Sequence, residues 1–180
     1  MNLTKNLLFL FVLAILGSGC SPKLPFSQHI REQYNLNDAA LKGLQYYNSH
    51  EIVLNRAESS ANEQGTVEGT LVIESGKSVE QVIIPAGTPG IAEIVPNTNS
   101  ISVSFELGEN TALVFGTSNA TSNGRYTLMA PAWKQEKGKI DYNGKTYYTS
   151  RGSGDTYLEF KMKRLNKVIR KQRTVKGRKI

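Results

Sequence analysis

Cysteine occurs once in these 180 residues, at Cys20, histidine twice and tryptophan once. A single thiol excludes an intramolecular disulfide and any zinc or redox centre built on two or more cysteines. The two histidines, His29 and His50, do not stand at zincin spacing, and no Ser-His-Asp set assembles around them. "SGKS" at Ser75 to Ser78 has the end of a phosphate loop, but Leu71 stands where that loop needs its first glycine, so a β-turn is expected there. Acidic residues are missing from Lys161 to Ile180, where ten basic ones stand. Setting those ten and Lys5 aside leaves eleven basic residues against fifteen acidic ones. The formal net charge of +7 therefore belongs to the last twenty residues, and the remainder is mildly acidic.

Long apolar runs are scarce too. Leu7 to Leu16, "LLFLFVLAIL", is unbroken for ten residues and follows a short segment with one positive charge, Lys5. As a helix it would rise about 15 Å, half a bilayer's hydrocarbon core, which is too short to span but suits the core of an export signal. Gly17, Ser18 and Gly19 follow, and then Cys20.

This stretch, "AILGSGCSPK", resembles the lipobox of bacterial lipoproteins. The resemblance implies that Cys20 is alkylated by diacylglycerol, that residues 1–19 are cut away as a signal peptide, and that Cys20 leads the mature chain with two or three acyl chains. The commonest form has an aliphatic residue three before the cysteine, whereas here Gly17 stands there and Leu16 one step further back. Ser21, rather than aspartate, after the cysteine resembles lipoproteins sorted to the outer membrane, facing the periplasm. Residues 20–26, with prolines in "SPKLP", are expected to form a lipidated tether, and residues 27–180 a single domain.

Two short helices should open that domain. Ser27 caps the first, with Ile30 and Tyr34 on one face. Asn37 caps the second, "DAALKGLQYY", with Asp38 in its first turn and Leu36 meeting Leu41 as a hydrophobic staple. From Ile52 onward, short runs rich in β-branched and aromatic residues alternate with turn chemistry such as "GTPG", "GEN" and "SRGSG". Asn143-Gly144 in "KIDYNGKTYY" marks a two-residue hairpin. The expected fold is mainly β, an antiparallel sandwich or small barrel preceded by one or two short helices. Near the end, Leu158, Phe160 and Met162 read as one side of a strand, Leu165-Asn166 as a turn, and Val168 to Val175 as a last strand.

"PFSQHIREQYNLNDAALKGLQYYNSHEIVLNR", Pro25 to Arg56, also resembles the opening of small Bacteroidetes-type envelope lipoproteins. The resemblance implies a lineage and no catalytic residue.

Two surface features invite partners. Tyr46, Tyr47, Tyr126, Tyr142, Tyr147, Tyr148, Tyr157 and Trp133 can line a glycan or peptide surface, or half-bury on pleated sheets. Trp133, beside Pro131 in an expected connection, is the candidate aromatic contact. The basic segment 161–180, with Arg170, Lys171, Arg173, Lys176, Arg178 and Lys179, is the candidate site for an anion or an envelope protein. It lacks interleaved stacking aromatics, so phosphate-rich lipid headgroups, lipopolysaccharide cores or acidic partner surfaces, not nucleic acid, are the expected anions. No cofactor, metal or catalytic residue is expected. The reading is of a non-catalytic structural or assembly component of a trans-envelope machine, such as a secretion system. The alternative is a periplasmic ligand-binding module for glycan, peptidoglycan or anionic lipid.

Overall fold

The structure is a computed structural model that describes residues 21–57, 70–74, 77–117 and 123–170. Its elements are β1 (Lys23–Pro25), α1 (Gln28–Gln33), α2 (Asp38–Lys42), β2 (Gln45–Asn48), β3 (Ile52–Ala57), β4 (Thr70–Glu74), β5 (Lys77–Ile84), β6 (Pro89–Asn97) and β7 (Ser100–Ser104). There follow β8 (Ala112–Gly116), β9 (Thr127–Leu128), β10 (Ala132–Lys134), β11 (Lys137–Tyr142), β12 (Lys145–Thr149), β13 (Leu158–Lys161) and α3 (Met162–Ile169).

The strands form two antiparallel sheets. One runs β1-β13-β2-β6-β7-β8-β9 and the other β10-β11-β12-β3-β5-β4. Neither closes on itself, so the architecture is a sandwich and not a barrel. Alternation explains why the sheets face each other. Ile52 and Leu54 lie opposite Ile84 and Val82 on the inner face of the second sheet, while Ile101 and Val103 lie opposite Phe115 and Leu113 on the first. The β11–β12 hairpin turns at Asn143 and Gly144, with φ of 49° and 71°, the two left-handed positions that its sequence supplies.

Both helix caps form as the sequence leads one to expect. Ser27 Oγ accepts from the Ile30 amide at 3.4 Å, and Asn37 Oδ1 from the Ala40 amide at 2.9 Å. Leu36 and Leu41 are buried in the core. The three helices gather at one end of the sandwich. Arg31 of α1 reaches the Asn97 carbonyl beside the β6–β7 turn, α2 packs on β6, and Val168 of α3 lies against Gly43.

Three expectations need correction. "SPKLP" is not a free tether. Lys23–Pro25 pairs with β13, and Phe26 is fully buried, its ring 5.3 Å from Tyr46, 5.0 Å from Tyr126 and 5.8 Å from Phe160. A proline survives there because β1 is an edge strand. The second helix does not reach Tyr47. It ends at Lys42 with Gly43 as cap, and Gln45–Asn48 turns to a strand that buries Tyr46 and Asn48 alternately. The expected last hairpin is also absent up to Arg170. Strand alternation holds only for Leu158 and Phe160. From Met162 the apolar residues Leu165 and Val168 recur every third position, and Met162–Ile169 is helical. The residues of that expected strand beyond Arg170 lie outside the described residues, as do residues 1–19, expected to be a signal peptide, and Cys20.

Candidate functional site

At the helical end, α3 carries Leu165 into the core with Met162 and Val168 partly buried against it. This turns Lys163, Arg164, Lys167 and Arg170 outward, all exposed, and Lys163, Asn166, Lys167 and Arg170 line an open hollow. Among the described residues none of these four cations forms an ion pair; the two ion pairs found there both belong to Glu80. Of the six cations named as candidates, Arg170 lies on this surface, while Lys171, Arg173, Lys176, Arg178 and Lys179 lie outside the described residues.

The chain enters the fold beside this surface. Lys23, the first residue of β1, lies directly opposite Lys161, the residue before α3. Like charges so placed repel. The Tyr47 ring offsets this, with Lys23 Nζ 4.4 Å and Lys161 Nζ 5.7 Å from its centroid.

A second polar cluster joins β5 to β3 and β12. Glu80 of β5 accepts from Arg56 Nη1 at 3.1 Å, from Lys145 Nζ at 3.3 Å and from the Tyr147 hydroxyl at 2.7 Å. Burial pushes the Glu80 carboxyl up, but these three donors outweigh it and hold it below the ordinary glutamate value. Burial, reinforced by the Glu80 charge, pushes the Tyr147 hydroxyl up. Tyr142 donates to Glu106 Oε1 at 2.6 Å and meets Tyr147 edge to face at 6.2 Å; burial and Glu106 push its hydroxyl up as well. Both tyrosines are neutral donors near pH 7 and tie their strands to Glu80 and Glu106.

The outer face of the second sheet presents a row of register partners, Lys139, Tyr148, Asn55 and Gln81. Gln81 Nε2 donates to Asn55 Oδ1 at 2.7 Å, and Asn55 Nδ2 to Ser150 Oγ at 2.9 Å. Tyr148 stands half exposed beside this amide ladder, with Ile83 exposed on the neighbouring row.

The remaining aromatics divide. Tyr46, Tyr126, Tyr142 and Tyr147 are buried, so these four serve the core. The Tyr126 hydroxyl accepts from Arg31 Nη1 at 2.9 Å and donates to Gln28 Oε1 at 2.7 Å, which ties α1 to the sandwich. Trp133 is not in a connection but on the edge strand β10, where its ring covers Gly138 and Gly154; a β-carbon at either glycine would come within 3.0 Å of it. The residue is 42% exposed, so part of it meets solvent while the six-membered part of its ring lies over the two glycines.

His29 is exposed on α1. His50 Nδ1 shares a hydrogen bond with Ser49 Oγ at 2.8 Å, but that oxygen already accepts from the Tyr157 amide at 2.9 Å, and among the described residues no carboxylate bonds His50. Among those residues no group of three His, Cys, Asp or Glu is placed to hold a metal, and no helix is long and apolar enough to cross a membrane. No protein-family model matches the chain, and neither does any curated protein sequence or solved structure.

Proposed function

We propose that this chain is a lipid-anchored protein of the bacterial cell envelope, held at a membrane through Cys20, whose folded part works without catalysis as a structural or assembly component of a trans-envelope machine such as a secretion system. Its proposed site is the outer membrane, facing the periplasm, a reading supported by Ser21 rather than aspartate after the cysteine. The observation that carries the reading is the run from Leu7 to Cys20, in which the chain's one cysteine follows ten apolar residues and three small ones. The start of the fold supports it. Only Ser21 and Pro22 separate Cys20 from β1, so the first strand begins where an acylated residue would meet the membrane surface.

Several acyl chains, at about 0.8 kcal/mol per buried CH2, hold a protein far beyond marginal membrane binding. Replacing Cys20 with alanine in cells fed labelled palmitate should abolish the label and release the protein from the membrane fraction or leave it unprocessed. Palmitate on C20A at the level of the natural chain would refute the reading.

A second reading, a module that binds glycan or peptidoglycan, is favoured by the row Lys139, Tyr148, Asn55 and Gln81. An exposed tyrosine offers a sugar a flat apolar face, and the flanking amides offer donors and acceptors to its hydroxyls.

A further inference from the structure

We infer that the helical end of the domain is a second membrane contact, in which the outward face of α3 takes the phosphates of anionic phospholipid headgroups. For its orientation this rests on the proposed anchor at Cys20; for its chemistry it rests on α3 alone.

Lys163, Lys167 and Arg170 stand three to four residues apart, a spacing that sets them on one helical stripe. Leu165, buried beneath, fixes which way the stripe faces. With Lys161 and Arg164 they make five cations in ten residues without an acid. A row of exposed cations without ion pairs among the described residues suits an extended anionic surface, and a headgroup layer is one.

Nucleic acid fits less well, because the stripe offers no aromatic ring on which a base can stack.

Distance then decides whether such a surface would be used. Charges act over about 8 Å at physiological salt, so the helix must be brought close. Three extended residues span at most about 10 Å, which is the reach from Cys20 to Lys23. Lys23 pairs with Lys161, and α3 begins at the next residue. A lipid on Cys20 would hold α3 near the headgroups and make the second contact intramolecular.

The test uses the chain from Ser21 to Ile180, which contains every core residue from Phe26 to Leu165 and so folds without the anchor. It is sedimented with vesicles of phosphatidylcholine alone and with vesicles containing one-third phosphatidylglycerol, at low salt and at about 0.5 M salt. Binding should appear on the anionic vesicles only and disappear at high salt. Each cation near an anionic surface strengthens partitioning about fivefold, so K163E/K167E/R170E should weaken it about a hundredfold or more with an unchanged circular dichroism spectrum. If the reversed charges disturb the fold, K163Q/K167Q/R170Q provides the same comparison. Equal binding of variant and parent, equal binding to neutral vesicles, or no binding to anionic vesicles at low salt would overturn the inference. Because this chain lacks Cys20, none of these results bears on the anchor, which stands or falls on palmitate labelling.

Discussion

Replacing Glu80 with glutamine keeps the shape of the side chain and removes its charge. In the folded domain that carboxylate is 10% exposed and receives three donors. Arg56 and Lys145 are 31% and 28% exposed, so each ion pair is partly screened and contributes about 0–1 kcal/mol. The Tyr147 hydroxyl is buried, and a hydrogen bond to a charged acceptor contributes about 1.5–3 kcal/mol. Glutamine can still accept that bond in weaker form, so E80Q should lose about 1–3 kcal/mol at neutral pH. E80L leaves the hydroxyl with no acceptor and should lose more. Combining E80L with Y147F should recover at least about 1 kcal/mol relative to the sum of the single changes.

Acid sharpens the test. The folded-state pKa of Glu80 lies below its unfolded value of about 4.3, so the unfolded chain binds the proton first. The stabilisation is full above that unfolded value and fades as pH falls through the folded one. Urea unfolding of the chain from Ser21, followed by circular dichroism at a series of pH values, measures the gap between parent and E80Q. It should be widest near neutrality and narrow in acid. A gap that widens toward acid, or one that is absent at neutral pH, refutes the reasoning.

Phe26→Ala should destabilise the domain by about 3–5 kcal/mol in the same assay, because Phe26 is fully buried among three aromatic rings; a loss under about 1 kcal/mol would mean that the segment after Pro25 is not part of the core. If the outer face of the second sheet binds glycan, Y148A should reduce retention on peptidoglycan at least tenfold while leaving the unfolding midpoint nearly unchanged, since Tyr148 is half exposed; unchanged retention would leave that face a plain sheet surface.

The features that the sequence made legible are those whose cause is local. Ser27 and Asn37 cap their helices because a short polar side chain needs only the next turn to bond. Asn143-Gly144 turns because those two residues tolerate positive φ. The strand rhythm from Ile52 onward is a period of two that shows in the residue order. What escaped depends on distant partners. Lys23–Pro25 and Ala132–Lys134 are too short for any period, and each is a strand because a neighbouring strand supplies its hydrogen bonds. Where β13 meets α3, the alternation of Leu158, Phe160 and Met162 and the helical spacing of Met162, Leu165 and Val168 share a residue. Where the strand ends is decided by packing, not by composition. Tyr147 and Tyr142 find Glu80 and Glu106 across 67 and 36 residues, a meeting that no spacing in the chain announces. The basic stripe was visible as charge, but its orientation comes from Leu165.

The order β1-β13-β2 sets the schedule on which this protein can fold. A ribosome delivers β1 and β2 early, yet the strand that belongs between them arrives only at Leu158–Lys161. Until then Phe26 has no Phe160 to pack on, and the facing edges of β1 and β2 offer unpaired backbone to any passing strand. Closing so long a loop is slow compared with making a hairpin, so β13 should take its place after the hairpins of both sheets have formed. The chain therefore stays half-built at its own beginning until its last strand is delivered, a state in which a holding chaperone has the most to protect.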